Sequence, residues 1–139
     1  MIMLVSFYPI PVKSITMSMF FEINQVYLFT RLSTWLFDIK SSIEEIESYF
    51  SDGERKYELF INDLRTKRAV ERNLEIIGEA LKRILDKDDS IRIKNARKIV
   101  DTRNRIIHGY DSVSDDVIWG IIVRYLPELK KEINELMND

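Results

Sequence analysis

No cysteine occurs anywhere in the 139 residues, histidine occurs once, and glycine and proline number only four and three. The missing cysteine excludes a disulfide scaffold, a thiol nucleophile and every thiolate metal site. With a single histidine besides, one chain offers no adequate donor set for a transition metal, so neither a metal nor another cofactor is expected. Scarce glycine and proline deny the chain the turn punctuation of a sandwich or barrel, whereas abundant Leu, Ile, Glu, Lys and Arg favour helices. An all-α domain follows, and the length suffices for one core without staples.

Long uncharged runs are missing too. The first thirty residues are apolar and aromatic, but Lys13, Glu22 and Arg31 interrupt them before the ~20 residues needed to cross a bilayer. A signal peptide carries positive charge ahead of its apolar stretch, and here the first charge, Lys13, follows two prolines. The expectation is a cytoplasmic chain with no membrane segment. Residues 1–31 read as an atypical N-terminal extension that packs on the body, mediates an oligomer contact, or reflects an upstream start codon with Met17 or Met19 as the natural beginning. Residues 32–139 read as the domain proper.

Charge is unevenly spread. The net charge is −2, yet Arg65 to Arg105 holds thirteen Lys or Arg against seven Asp or Glu, leaving +6 there and −8 elsewhere. Either a basic strip lies beside an acidic body, or the charges simply solvate separate helix faces.

Apolar spacing defines the elements. Leu32, Leu36, Ile39, Ile43, Ile46 and Phe50 alternate steps of four and three, one stripe of a helix that Ser51-Asp52-Gly53 should end. A short helix is expected over Glu54 to Ile61, with a break at Asn62-Asp63. Val70, Leu74, Ile77, Leu81 and Ile84 mark a second long helix from Thr66 to Leu85, in which Gly78 points to close helix packing. After the turn DKDDS, a third helix runs from Lys94 to His108 with Ile99, Val100, Ile106 and Ile107 inward and Gly109 as its stop. Ser114 should cap a fourth, bearing Asp115 and Asp116 in its first turn and a buried stripe from Val117, Ile118, Ile121 and Ile122 to Leu136. Pro127 should kink or split it. The architecture expected is an up-and-down four-helix bundle, with a possible fifth short helix.

The chemistry concentrates in RNRIIHGY, Arg103 to Tyr110, around the single histidine. Asp101, Asn104 and His108 follow steps of three and four and share a stripe, with Arg103 one step round from Asn104. His108, in the last helical turn, suits proton transfer near neutral pH, and Asp101 could support its charged form. Arg103 could grip a phosphate through its planar fork of donors, and Asn104 could orient either partner. Cleaving RNA by its own 2′-hydroxyl needs one group to take a proton and another to deliver one. A two-fold dimer would supply the second histidine. The same residues also fit plain structural roles: a helix-end histidine, a surface ion-pairing arginine, a solvated asparagine and a half-buried tyrosine.

Two blocks, RNLEIIGEA from Arg72 to Ala80 and RNRIIHGY followed by VIWGIIVRYLPELKKEI, resemble the HepT-like members of the HEPN superfamily over Leu32 to Met137. Such proteins are small helical partners of a minimal nucleotidyltransferase in prokaryotic toxin-antitoxin pairs. The resemblance implies an HEPN-like bundle forming a homodimer, with Arg-x4-His motifs converging in a cleft, and a metal-independent endoribonuclease toxin acting on RNA. It implies that Arg103 and His108 are the catalytic pair and Asn104 their polar companion. Tyr110 corresponds to the tyrosine that the cognate nucleotidyltransferase antitoxin modifies with AMP, silencing the toxin by charge and bulk beside His108. The alternative is a non-catalytic helical subunit that binds nucleotide or RNA for the nucleotidyltransferase, with Arg103 as a phosphate clamp.

Overall fold

The structure is a computed structural model that describes residues 16–50, 57–109 and 113–139. Within them lie α1 (Met17–Ser48), α2 (Tyr57–Asn62), α3 (Leu64–Lys87), α4 (Ala96–His108), α5 (Asp115–Gly120), a π-helical turn (Ile121–Tyr125) and α6 (Leu126–Asn138). The described residues contain no strand, and the architecture is an all-α helical bundle. Two compact units divide the chain, Met1–Arg31 and Leu32–Asp139. No helix of the described residues is long and apolar enough to cross a membrane.

The first helix departs from the expectation at its start. It begins at Met17 rather than near Leu32. Neither Gly nor Pro interrupts residues 17–48, and Thr16 Oγ1 accepts the N–H of Met19 at 3.2 Å, satisfying a first-turn donor. In the smaller unit Phe20, Phe21, Val26 and Phe29 are exposed, and Arg31 lies over the Tyr27 ring, 5.2 Å from its centroid. The stop expected at Ser51-Asp52-Gly53 lies outside the described residues.

In the larger unit the four-three stripes of α1 and α3 form the core. Ile39, Ile43 and Ile46 from α1 meet Val70, Leu74, Ile77, Leu81 and Ile84 from α3, all essentially inaccessible to water. Asp63 starts α3 by accepting the N–H of Arg65 at 3.0 Å and the hydroxyl of Thr66 at 2.7 Å. Those bonds from Thr66 hold the Asp63 carboxyl below its ordinary range. The buried Asn73 side chain is satisfied by donating to Tyr49 Oη at 3.0 Å and to the Ala69 carbonyl at 3.2 Å. At the far end of α2 an aromatic cluster closes the core: Phe60 stacks on Trp119 with centroids 5.5 Å apart, and Phe50 meets the same indole edge-on at 5.6 Å. Ion pairs Lys67–Asp115, Lys94–Glu128 and Lys130–Glu47 tie α3 to α5, the approach to α4 to α6, and α6 to α1.

The last helical stretch is divided one turn ahead of Pro127. A proline cannot donate to the carbonyl four residues back, and the chain answers with a wider turn in which the Leu126 N–H reaches the Ile121 carbonyl. Pro127 then occupies the first turn of α6, where its missing N–H costs nothing. Ile118, Ile121, Ile122, Leu126, Leu129 and Ile133 are buried as a result. Val117, expected in that stripe, is 39% exposed, because it lies one step round the short α5 from the inward Ile118. Ser114 caps α5 through its carbonyl, which accepts the N–H groups of Val117 and Ile118, and its side chain makes no cap bond.

Candidate active site

Helix α4 is bounded by two left-handed residues, Asn95 at φ 62° and Gly109 at φ 62°. Gly109 ends the helix as expected, its N–H bonding the Arg105 carbonyl at 3.2 Å. The inward face is Ala96, Ile99 and Thr102, with Ile106 partly buried. Ile107 is 46% exposed instead of facing the core, because it follows Arg103 by four residues and so lies over the same surface groove.

Arg103 packs its stem directly against Gly78 of α3. A Cβ placed on Gly78 would lie 2.4 Å from Arg103 Cβ and 2.7 Å from Cγ, so the absent side chain at 78 is the space that the arginine stem fills. The close packing expected from Gly78 is present. From there the guanidinium reaches two acceptors: Nη2 donates to Glu79 Oε2 at 2.5 Å and Nη1 to Asn104 Oδ1 at 2.8 Å. Glu79 in turn accepts from Arg83 Nε at 3.0 Å, so one carboxylate holds two guanidiniums. Arg103 Nε–H is buried without an acceptor among the described residues, leaving one donor unsatisfied. These groups border a groove of about 240 Å³ whose walls include Trp35, Arg72, Glu79, Arg83, Arg103 and Ile107.

The other expected site residues are distributed around this centre. Asn104 is bonded to Arg103. His108 is exposed at the end of α4 and is not among the walls of the groove. Asp101 is exposed as well, and no hydrogen bond or ion pair joins it to His108. Tyr110, the expected acceptor of AMP, lies outside the described residues. Among the described residues no group of three His, Asp or Glu side chains is placed to hold a metal ion. Glu79 and Arg83 were not singled out from the sequence. Glu79 stands in the RNLEIIGEA block directly after Gly78, but nothing in its local spacing says that it faces a helix twenty-four residues away.

Residues 39–136 match the HepT-like family, described as Ribonuclease HepT-like. The chain belongs to the HepT-like ribonuclease family. Among curated relatives, this HepT-like chain is 36% identical over 105 residues to "Probable ribonuclease HepT" of Thermococcus cleftensis, covering 73% of this chain and 92% of the relative. It is 34% identical over 110 residues to "Putative RNase MJ0125" of Methanocaldococcus jannaschii, covering 78% and 92% of the two chains. A second protein of that organism, "Putative RNase MJ0127", is 30% identical over 109 residues, or 76% and 86%. No solved structure matches the chain. The matched span of the HepT-like family contains the Arg103–Glu79 centre and His108, and it excludes the smaller unit.

Proposed function

We propose that this HepT-like chain is a metal-independent endoribonuclease, the toxin of a toxin-antitoxin pair, acting as a homodimer. The observation that carries the reading is the fixed guanidinium of Arg103, seated on Gly78 and braced by Glu79 and Asn104, on the same helix as an exposed imidazole, His108. An arginine with a locked stem is preorganised for a phosphodiester, and preorganised cations stabilise the charge that grows on phosphorus during cleavage.

In the reaction the imidazole of one His108 takes the proton of the 2′-hydroxyl, and the 2′-oxygen bonds to phosphorus. The bond from phosphorus to the 5′-oxygen breaks, and the imidazolium of the second protomer's copy of His108 delivers a proton to that leaving oxygen. The products are a 2′,3′-cyclic phosphate and a 5′-hydroxyl. Arg103 carries the charge of the pentavalent state, and Asn104 keeps the guanidinium turned toward it. AMP added to Tyr110 by the cognate nucleotidyltransferase antitoxin places negative charge near His108 and repels RNA.

The test is cleavage of a fluorogenic RNA in the presence of a chelator. His108→Ala should lower the rate by ~10²–10⁴-fold with helicity unchanged. Equal rates for parent and variant overturn the assignment. The second reading, a non-catalytic subunit that binds nucleotide or RNA, is favoured by the engagement of Arg103 with Glu79. It requires RNA binding with no cleavage at any protein concentration.

A further inference from the structure

Five of the seven lysines and arginines of α3 have a carboxylate partner, as in the pairs Arg68–Glu71, Arg72–Glu75 and Lys82–Asp86. The outward side of α4 is different. From Arg92 to His108 there are six Lys or Arg and one acidic residue, Asp101. Arg92, Arg97 and Arg105 are exposed there and have no ion-pair partner among the described residues, and Asp101 pairs with neither neighbouring arginine. Steps of four and three put Arg97, Asp101, Arg105 and His108 on one edge of the helix. Beyond its N-terminal end a groove of about 650 Å³ opens between Arg92, Arg97, Asn95 and Glu132. Glu132 uses one oxygen to accept the Lys94 N–H at 3.1 Å, while its Oε2 is buried and has no donor.

We propose that this edge and groove form a docking track for single-stranded RNA, leading the strand away from His108 with phosphates on Arg105, Arg97 and Arg92. From Arg97 to His108 the helix rises roughly 16 Å, room for roughly three to five phosphates at the spacing of a stacked strand. Charge complementarity selects the occupant: a row of unpaired guanidiniums fits a chain of repeated anions. The track rests on the ribonuclease reading only for where the strand leads. Its binding can be measured alone.

The experiment is fluorescence anisotropy with a labelled 2′-O-methyl RNA dodecamer, which cannot be cut because its 2′-oxygens are blocked. Arg97→Gln with Arg105→Gln should weaken binding at least ~10-fold at low salt and reduce the slope of log affinity against log salt by about 1.4, two lost single-strand phosphate contacts. The control removes the same charge elsewhere, Arg65→Gln with Arg124→Gln, and should change affinity less than ~2-fold. Equal loss in both double variants, or no binding by the parent, overturns the track. Cleavage surviving in His108→Ala alongside loss of binding in Arg97→Gln/Arg105→Gln would overturn the catalytic assignment and leave the track standing.

Discussion

Replacing Gly78 by alanine tests how Arg103 is held. The added methyl would meet Arg103 Cβ at 2.4 Å, whereas carbon pairs settle at about 3.5–4.0 Å. Arg103 Cβ is fixed to its backbone and cannot swing aside, so α3 and α4 must part by roughly 1 Å. Overpacking of this kind costs about 1–3 kcal/mol, offset by the ~1 kcal/mol that alanine gains over glycine inside a helix. The net loss is about 0–2 kcal/mol, a fall in Tm of no more than ~10 °C for a domain of this size. Activity should suffer more, because a shift of ~1 Å in a positioning group can cost ~10²-fold. The assay pairs thermal unfolding by circular dichroism with the chelator-treated RNA cleavage rate. Gly120→Ala is the control: no atom stands within 4 Å of a Cβ there, so its Tm should rise by the propensity gain with no steric charge against it. A Gly78→Ala protein that melts higher than the parent and cleaves at full rate would refute the reasoning.

Glu79→Gln keeps the shape of the brace but not its charge, so the rate should fall ~10-fold and stability by ~1–2 kcal/mol, read by the same two assays. Asp101→Asn should leave the rate within ~2-fold, since no bond carries its charge to His108, and a large loss would restore it to the site. Phe60→Ala empties the middle of the aromatic cluster and should cost about 3–5 kcal/mol in urea unfolding, with Trp119 emission shifting to the red as water enters. The depressed carboxyl of Asp63 has a definite sign: its contribution is complete above the unfolded carboxylate range and is lost as pH falls through its lower folded value. Parent Tm should therefore decline more steeply than that of Asp63→Asn when pH is lowered through 4, and parallel curves would remove Asp63 from the account.

Periodicity made the long helices legible, because apolar steps of four and three in α1 and α3 coincide with the residues that are inaccessible to water. It could not reveal where α1 begins, since Met17 to Arg31 spreads apolar and polar residues around the helix with no clear phase. Ile107 and Val117 face outward for a related reason: two adjacent apolar residues lie about 100° apart and need not both turn inward, and composition does not say which does. In the candidate site Arg103, Asn104 and His108 stood out as polar types crowded around a lone histidine. Glu79 did not. Its role depends on α3 crossing α4 at Gly78, a tertiary contact that leaves only a glycine as its trace in the sequence.

The widened turn at Ile121–Tyr125 has a bearing on sequence drift. Ile121 and Leu126 are five positions apart, about 140° on a regular helix, yet both are buried. The slack of one residue absorbed there acts as an indexing device, rotating α6 so that Leu129 and Ile133 stay in phase with Ile121. A homologue one residue shorter at this point could run as a continuous α-helix from Asp115 with the same hydrophobic seam, whereas one of equal length that lacked the wide turn would need a different apolar cadence after Pro127.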